Sequence, residues 1–215
     1  MATSDRLIWS VMIPVKVLSL AKSRLTGLAD ADREALALAM ATDTVAAAVA
    51  CPSVAGVVVI TSDPAVGAEA RALGAEVIPD GPAAGLNQAL RAGAAHAALL
   101  RPGSGLAALT ADLPALAARE LTAALTAAAS VTHAFVADAA GTGTTLYTAR
   151  PGAAFRPRFG PRSRARHRLS GATELDLPGL AGLRQDVDTL GDLRDAARIG
   201  LGRRSAAVEA AVAAR

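Results

Sequence analysis

Apolar residues run along the chain in two alternating rhythms. Residues 7–15 (LIWSVMIPV) and 54–60 (VAGVVVI) are short, nearly unbroken apolar runs. Runs of that kind, rich in β-branched side chains, suit strands covered on both faces. Between them, residues 32–51 form a long helical stretch, with Asp30 or Asp32 as its expected cap and Pro52 as its stop. The alternation continues with a helix over 64–73 ended by Gly74, a short strand over 75–78 and a helix over 86–100. A strand over 105–110, a helix over 117–129 and strands over 133–137 and 144–149 follow. Residues 150–180 show no period and are rich in Pro, Gly and Arg. Beyond them the pattern predicts a strand over 183–188 and helices over 190–200 and 206–214. Strands separated by helices of this length predict βαβ units. The expected fold class is therefore α/β, one Rossmann-like domain over 1–215 with a mostly parallel sheet flanked by helices. The 150–180 stretch reads as an insertion on that domain.

In such sheets ligands bind beyond the carboxyl ends of the strands. The segments just after the expected strands are polar: Pro14-Val15-Lys16, Thr61-Ser62-Asp63, Pro79-Asp80-Gly81, Ala111-Asp112-Leu113-Pro114, and Asp138 with Gly141-Thr142-Gly143-Thr144-Thr145. Any one of these is an ordinary turn or cap. Repetition at five strand ends points to a polar site along one edge.

Composition narrows the classes. Hydrophobic residues make up 52% of the 215 and aromatics only 2%, so the core is built from Ala, Leu and Val. The single cysteine, Cys51, forbids an internal disulfide and a Cys-rich zinc site, and it reads as core filler. No apolar run approaches the ~18–20 residues that span a bilayer, so a cytoplasmic protein is expected. The formal net charge is only +3, but the cations are uneven: the two lysines, Lys16 and Lys22, lie six residues apart, and all the others are Arg.

Four groupings carry chemistry. Pro14, Lys16, Lys22 and Arg24 follow the first strand, where two ammonium groups and a guanidinium could neutralise a nucleoside triphosphate. Neither GxxxxGK[ST] nor GxGxxG is present, so neither a Walker loop nor a dinucleotide cofactor is indicated. Asp112 and the pair Asp186 and Asp188 form the second grouping. Residues i and i+2 of a strand share a face, and paired carboxylates call for a hard cation such as Mg2+. The alternative for Asp188 is capping of the helix over 190–200. The third is the Gly/Thr turn 141–145, whose amides could approach an anion. The fourth is the basic stretch, with six arginines between Arg156 and Arg168. It suits a small phosphorylated acid or, alternatively, nucleic acid. His96 and His133 read as structural, and no GxSxG elbow is present.

The run IPVKVLSLAKSRL, the segments TADLPAL and GTGTTL, the pattern FxPxFGPxSxxxH and the closing DVDTLGDL together resemble the guanylyltransferase family of deazaflavin coenzyme F-420 biosynthesis. The resemblance covers residues 13–193. It implies a glycosyltransferase-A-type nucleotidyltransferase domain that joins phosphoenolpyruvate, or 2-phospho-L-lactate, to the GMP part of GTP and releases pyrophosphate. It places the acid on Thr145, Gly160 and Ser163, and Mg2+ on Asp112 with Asp186 and Asp188. It places the nucleoside near Asp80, Gly85 and Asn87, and makes Lys16 and Asp112 the residues of the reaction. The product would pass to a transferase acting on the precursor Fo. One departure is Leu113-Pro114 after Asp112, where no second carboxylate adjoins. Other nucleotidyltransferases, acting on 3-phosphoglycerate, a sugar phosphate or a molybdopterin, remain open from the residues, as does a nucleotide- or nucleic-acid-binding module. An Ala-rich helix face suits either the core or a homodimer contact.

Overall fold

The computed structural model describes residues 7–20, 25, 27–81 and 85–214. Strand β1 (Trp9–Pro14) leads through a 3-10 turn at Leu18–Leu20 to helix α1 (Asp30–Val49). Then come β2 (Val54–Ile60), α2 (Pro64–Ala72), β3 (Glu76–Ile78), α3 (Leu86–Leu100), β4 (Gly105–Leu109) and α4 (Ala118–Ala128). Strands β5 (His133–Val136) and β6 (Leu146–Ala149) precede α5 (Ser163–Leu169) and β7 (Thr173–Glu174). Helices α6 (Ala181–Arg184), α7 (Leu190–Ile199) and α8 (Arg203–Ala213) follow. The seven strands form one sheet in the order β3-β2-β1-β4-β6-β5-β7. Strands β3, β2, β1 and β4 run parallel, and β6 is antiparallel to both β4 and β5. Strand β7 runs parallel to β5. The α/β class and the mostly parallel sheet are as expected from the alternation.

Both faces of the sheet are apolar, which is why the strand sequences look continuous rather than alternating. Val11, Ile13, Val57, Val59, Ala107 and Leu109 pack under α1, α2, α4 and α6. Met12, Val58, Ile60, Ala108 and Phe135 face α3 and the segment around Phe159. A buried methylene contributes only ~0.8 kcal/mol, so an alanine-rich core must compensate by close approach of its layers. Gly93 on α3 shows that approach: a Cβ there would press on Ile60 and Met12.

Three expectations are corrected. Residues 183–188 are not a strand: 181–184 are the short helix α6, and the remainder reaches the end of β4 through the Val187 N–H to the Asp112 carbonyl (3.1 Å). Leu183 and Val187 are both fully buried, so the apolar spacing marks packing and not a ladder. Helix α1 is preceded by Ala29 at its cap position, without a side-chain cap bond, while Asp30 and Asp32 lie inside the first turn. The aperiodic stretch 150–180 contains α5 and β7.

Trp9 and Gly105 face each other in register on β1 and β4, and a Cβ at Gly105 would land on the six-membered ring of Trp9. Trp9 is 1% exposed and has no room to move. Gly105→Ala is therefore expected to cost about 1–3 kcal/mol, the usual cost of overpacking. Urea unfolding followed by the fluorescence of Trp9, the one tryptophan, measures it. An unchanged midpoint would mean that the ring can step aside.

Candidate active site at the carboxyl edge of the sheet

The strand order reverses between β1 and β4: β2 and β3 lie to one side of β1, and β4 to the other. In sheets of this kind such a reversal is where ligands bind, beyond the carboxyl ends of the two strands. Lys16, exposed, lies two residues beyond β1, after Pro14. Asp112, half-buried, lies three beyond β4. Asp63 steadies the Lys16 loop. One of its oxygens accepts the N–H groups of Ala65 and Val66 (3.0 and 3.2 Å) and caps α2, and the other accepts the Leu18 N–H (3.0 Å). Lys22 and Arg24, also expected at this phosphate-facing loop, lie outside the described residues.

The Val187 bond to Asp112 brings the 186–188 segment to the end of β4. Val187 is buried, while Asp186 and Asp188 on either side of it are partly open. Burial raises the Asp186 carboxyl from its ordinary value of 3.8 to about 7, reinforced by the negative charges of Asp112, Asp138 and Asp188. Three further carboxylates therefore act on Asp186 at this edge. Among the described residues no three His, Cys, Asp or Glu side chains converge as a ready-made metal cage. Neither aspartate caps α7. Thr189 does, in a reciprocal box with Asp192: the Asp192 N–H donates to Thr189 Oγ1 (3.2 Å) and the Thr189 N–H to Asp192 Oδ2 (2.7 Å).

The Gly/Thr turn 141–145 surrounds an anion that the chain itself supplies. Asp138 Oδ1 accepts the Thr142 N–H and Oδ2 accepts the Gly143 N–H, both at 2.8 Å. A Cβ at Gly143 would overlap the Asp138 carboxylate, so this close approach requires glycine. The turn therefore spends two of its amides on Asp138. What it presents elsewhere is Thr145, wholly buried, whose hydroxyl has no hydrogen-bond partner among the described residues. An orphaned buried hydroxyl costs about 1–3 kcal/mol unless a ligand satisfies it. Thr110 at the end of β4 has the same property, and its N–H donates to the Thr145 carbonyl (2.9 Å). Sequence reasoning passed over Thr110, although it immediately precedes Ala111-Asp112.

Gly160 and Ser163 belong to one irregular loop. Gly160 has φ 116°, Arg162 is the only described non-glycine residue with positive φ (55°), and the Ser163 N–H turns back to the Gly160 carbonyl (3.1 Å). Backbone strain of this kind persists where surrounding contacts enforce it. Ser163 is 2% exposed and opens α5. The basic stretch is not one free cationic patch: Arg164 and Arg168 both pair with Glu174, at 2.9 and 2.8 Å.

On the nucleoside side, Asp80 is exposed after β3, and Gly85, φ 81°, precedes α3. Asn87 is engaged within the protein. Its amide donates to the Phe159 carbonyl (3.0 Å) and accepts the Phe159 N–H (2.8 Å). It joins α3 to the loop that carries Gly160.

Residues 9–178 match the family described as "Guanylyl transferase CofC like". A relative from Thermomonospora curvata, named phosphoenolpyruvate guanylyltransferase, is 56% identical over 204 residues, covering 95% of this chain and 90% of its own. One of the same name from Streptomyces coelicolor is 56% identical over 203 residues, covering 94% and 96%. Among solved structures, a Desulfovibrio desulfuricans protein described as a candidate nucleotide-diphospho-sugar transferase superposes with TM-score 0.64 at 15% identity, over 86% of this chain and 84% of its own. CMP:2-keto-3-deoxy-manno-octonic acid synthetase superposes with TM-score 0.53 at 15% identity, over 89% and 98%. These solved structures share the fold, and the match over most of the sequence decides the family: the chain belongs to the CofC-like guanylyl transferases.

Proposed function

We propose that this protein is a phosphoenolpyruvate guanylyltransferase that joins the phosphate of phosphoenolpyruvate to the GMP part of GTP and releases pyrophosphate. The observation that carries the reading is the bond from Val187 that joins the 186–188 segment to Asp112 beyond β4, next to β1 and the Lys16 that follows it, where the strand order reverses. The relatives' names supply the acid. A phosphate oxygen of the acid attacks the α-phosphorus of GTP, a new P–O bond forms, and the bond to the departing pyrophosphate breaks. The nucleophile is already an anion, so no general base is needed. The protein's task is to position two anions that repel each other.

Lys16 would draw the triphosphate toward the β1 end. Thr145, Ser163 and the backbone at Gly160 would hold the acid, with the two orphaned threonine hydroxyls offered to it or to GTP. Asp80 and Gly85 would frame the nucleoside, and Asn87 would act at one remove through Phe159. A divalent cation, Mg2+ in this reading, fits the donor set. The carboxylates are hard oxygen ligands, three of them add to burial in raising Asp186, and such an ion takes one or two carboxylates together with phosphate oxygens. Asp112, with Asp186 or Asp188, would hold it. When bound, the ion screens the charge of the triphosphate and of the leaving pyrophosphate. No helix among the described residues is long and apolar enough to cross a membrane, and a GTP-consuming enzyme of this kind suits the cytoplasm. The product would be consumed by a transferase acting on Fo.

Three measurements test this. Purified protein with GTP and Mg2+ is expected to release pyrophosphate with phosphoenolpyruvate, with the Fo transferase present to draw off product. Release only with 2-phospho-L-lactate or 3-phosphoglycerate would move the acid, and no release with any acid would reject the reaction. Asp112→Asn is expected to lower kcat by about a hundredfold or more, with the melting temperature kept. The third measurement concerns pH. In metal-free protein the folded state holds the Asp186 proton up to about pH 7, whereas an unfolded carboxyl loses it near 3.8. Between those values the folded state binds the extra proton, so Asp186 erodes stability as pH rises. The melting temperature of Asp186→Asn is therefore expected to gain on the wild type from pH 4 to pH 8. A difference that does not change with pH would mean that neither burial nor the neighbouring carboxylates raise Asp186.

A further inference from the structure

The protein has three phenylalanines and one tyrosine, and all four gather around one histidine. His167, wholly buried, stacks on Tyr147 (centroids 4.7 Å, planes 18° apart). Phe135 and Phe159 each lie 5.5 Å from it, and Phe155 packs on the far side against Tyr147 (5.6 Å). Apart from Trp9, the aromatic side chains of this alanine-rich chain are concentrated at this one place.

Both nitrogens of the imidazole are engaged. Nε2 lies 2.9 Å from the Arg158 backbone nitrogen. A backbone N–H can only donate, so Nε2 must be the bare acceptor. The ring proton then belongs to Nδ1, which donates to Thr144 Oγ1 at 3.0 Å. Burial among the rings, with the charges of Arg166 and Arg158 nearby, pushes the group down to about 4, so the ring is neutral at ordinary pH.

The two partners lie next to the residues assigned to the acid. Thr144 adjoins Thr145, Arg158 stands two residues before Gly160, and His167 is one helical turn after Ser163, with which it shares the buried face of α5. Asn87 grips the adjoining Phe159 from the other side. We propose that His167 is the positioning residue of the acid pocket: as the neutral Nδ1–H tautomer it ties the Gly/Thr turn to the 158–163 loop and sets the spacing of Thr145, Gly160 and Ser163. This rests on the acid pocket described above. His167 touches no reacting atom, and it acts through the two backbone segments that it joins.

The tautomer is read directly by 15N NMR of histidine-labelled protein at pH 7. A proton on Nδ1 and a bare Nε2 are expected, and an Nε2–H ring or an imidazolium would overturn the proposal. Kinetics read the positioning. His167→Phe keeps the rings packed but loses both bonds; it is expected to raise the KM for phosphoenolpyruvate about tenfold and to change the KM for GTP less than about twofold. His167→Gln, which restores one N–H donor and one carbonyl acceptor on a planar group, is expected to recover most of that loss. Equal effects on both substrates, or a fall in melting temperature with both KM values unchanged, would overturn the proposal. Thr145→Val controls for the underlying reading. An unchanged acid KM there removes the pocket itself, whereas a raised one beside an unaffected His167→Phe removes only the role of His167.

Discussion

The burial of Asp186 among other carboxylates at one edge of the sheet is the constraint around which the proposed site is organised. The charges of Asp112, Asp138 and Asp188 all act on it. Left bare and partly buried, they would oppose folding and would repel the anionic substrates that a guanylyl transferase handles. The fold meets the problem differently at each residue. Asp138 accepts two amides of its own turn. Asp186 is raised to about 7, so it holds a proton more readily than an ordinary carboxyl. Asp112 is joined to the 186–188 segment by a main-chain bond from Val187, at the place proposed for the divalent ion and the phosphates of GTP.

The remaining architecture holds that edge in place. The reversal of strand order falls between β1 and β4, and close packing of alanine and glycine surfaces against the sheet holds its strands together. Asp63 caps α2 and with the same carboxylate fixes the loop that follows β1. On the other flank the chain has little regular structure. The 150–172 segment is secured by an aromatic cluster, by Asn87 and by His167. The two halves of the site are therefore built by different physics. The side proposed for the triphosphate rests on strand ends and helix caps, and the side proposed for the acid rests on rings and a few long-range hydrogen bonds.

This division explains what could be read from the sequence. The helix over 86–100 and the strand over 54–60 have the expected limits, because their apolar periodicity reflects packing on a sheet. The polar residues at the strand ends were equally plain, since the α/β pattern says where to look. The acid side carries no such period. Asn87 and Phe159 are 72 residues apart, and His167 reaches partners 9 and 23 residues away, so nothing local announces them. The Gly/Thr turn was readable as an anion cradle, but not that Asp138, three residues ahead of Gly141, fills it. The alternation in Asp186-Val187-Asp188 suggested a strand, and the true cause is one buried valine between two partly open aspartates. Thr110 and Thr145 reveal themselves only through hydroxyls left without partners, a property of the folded state alone.

The account stands on the claim that the β4 end and the 186–188 segment together hold the cation that meets the phosphates of GTP. The most direct test is diffraction from crystals soaked with Mn2+ and a non-hydrolysable GTP analogue, with the metal located by its anomalous signal. The predicted result is a peak beside Asp112, with Asp186 or Asp188 and at least one phosphate oxygen completing its shell. A metal bound to the phosphates away from Asp112, with that carboxylate outside the shell, would contradict the account.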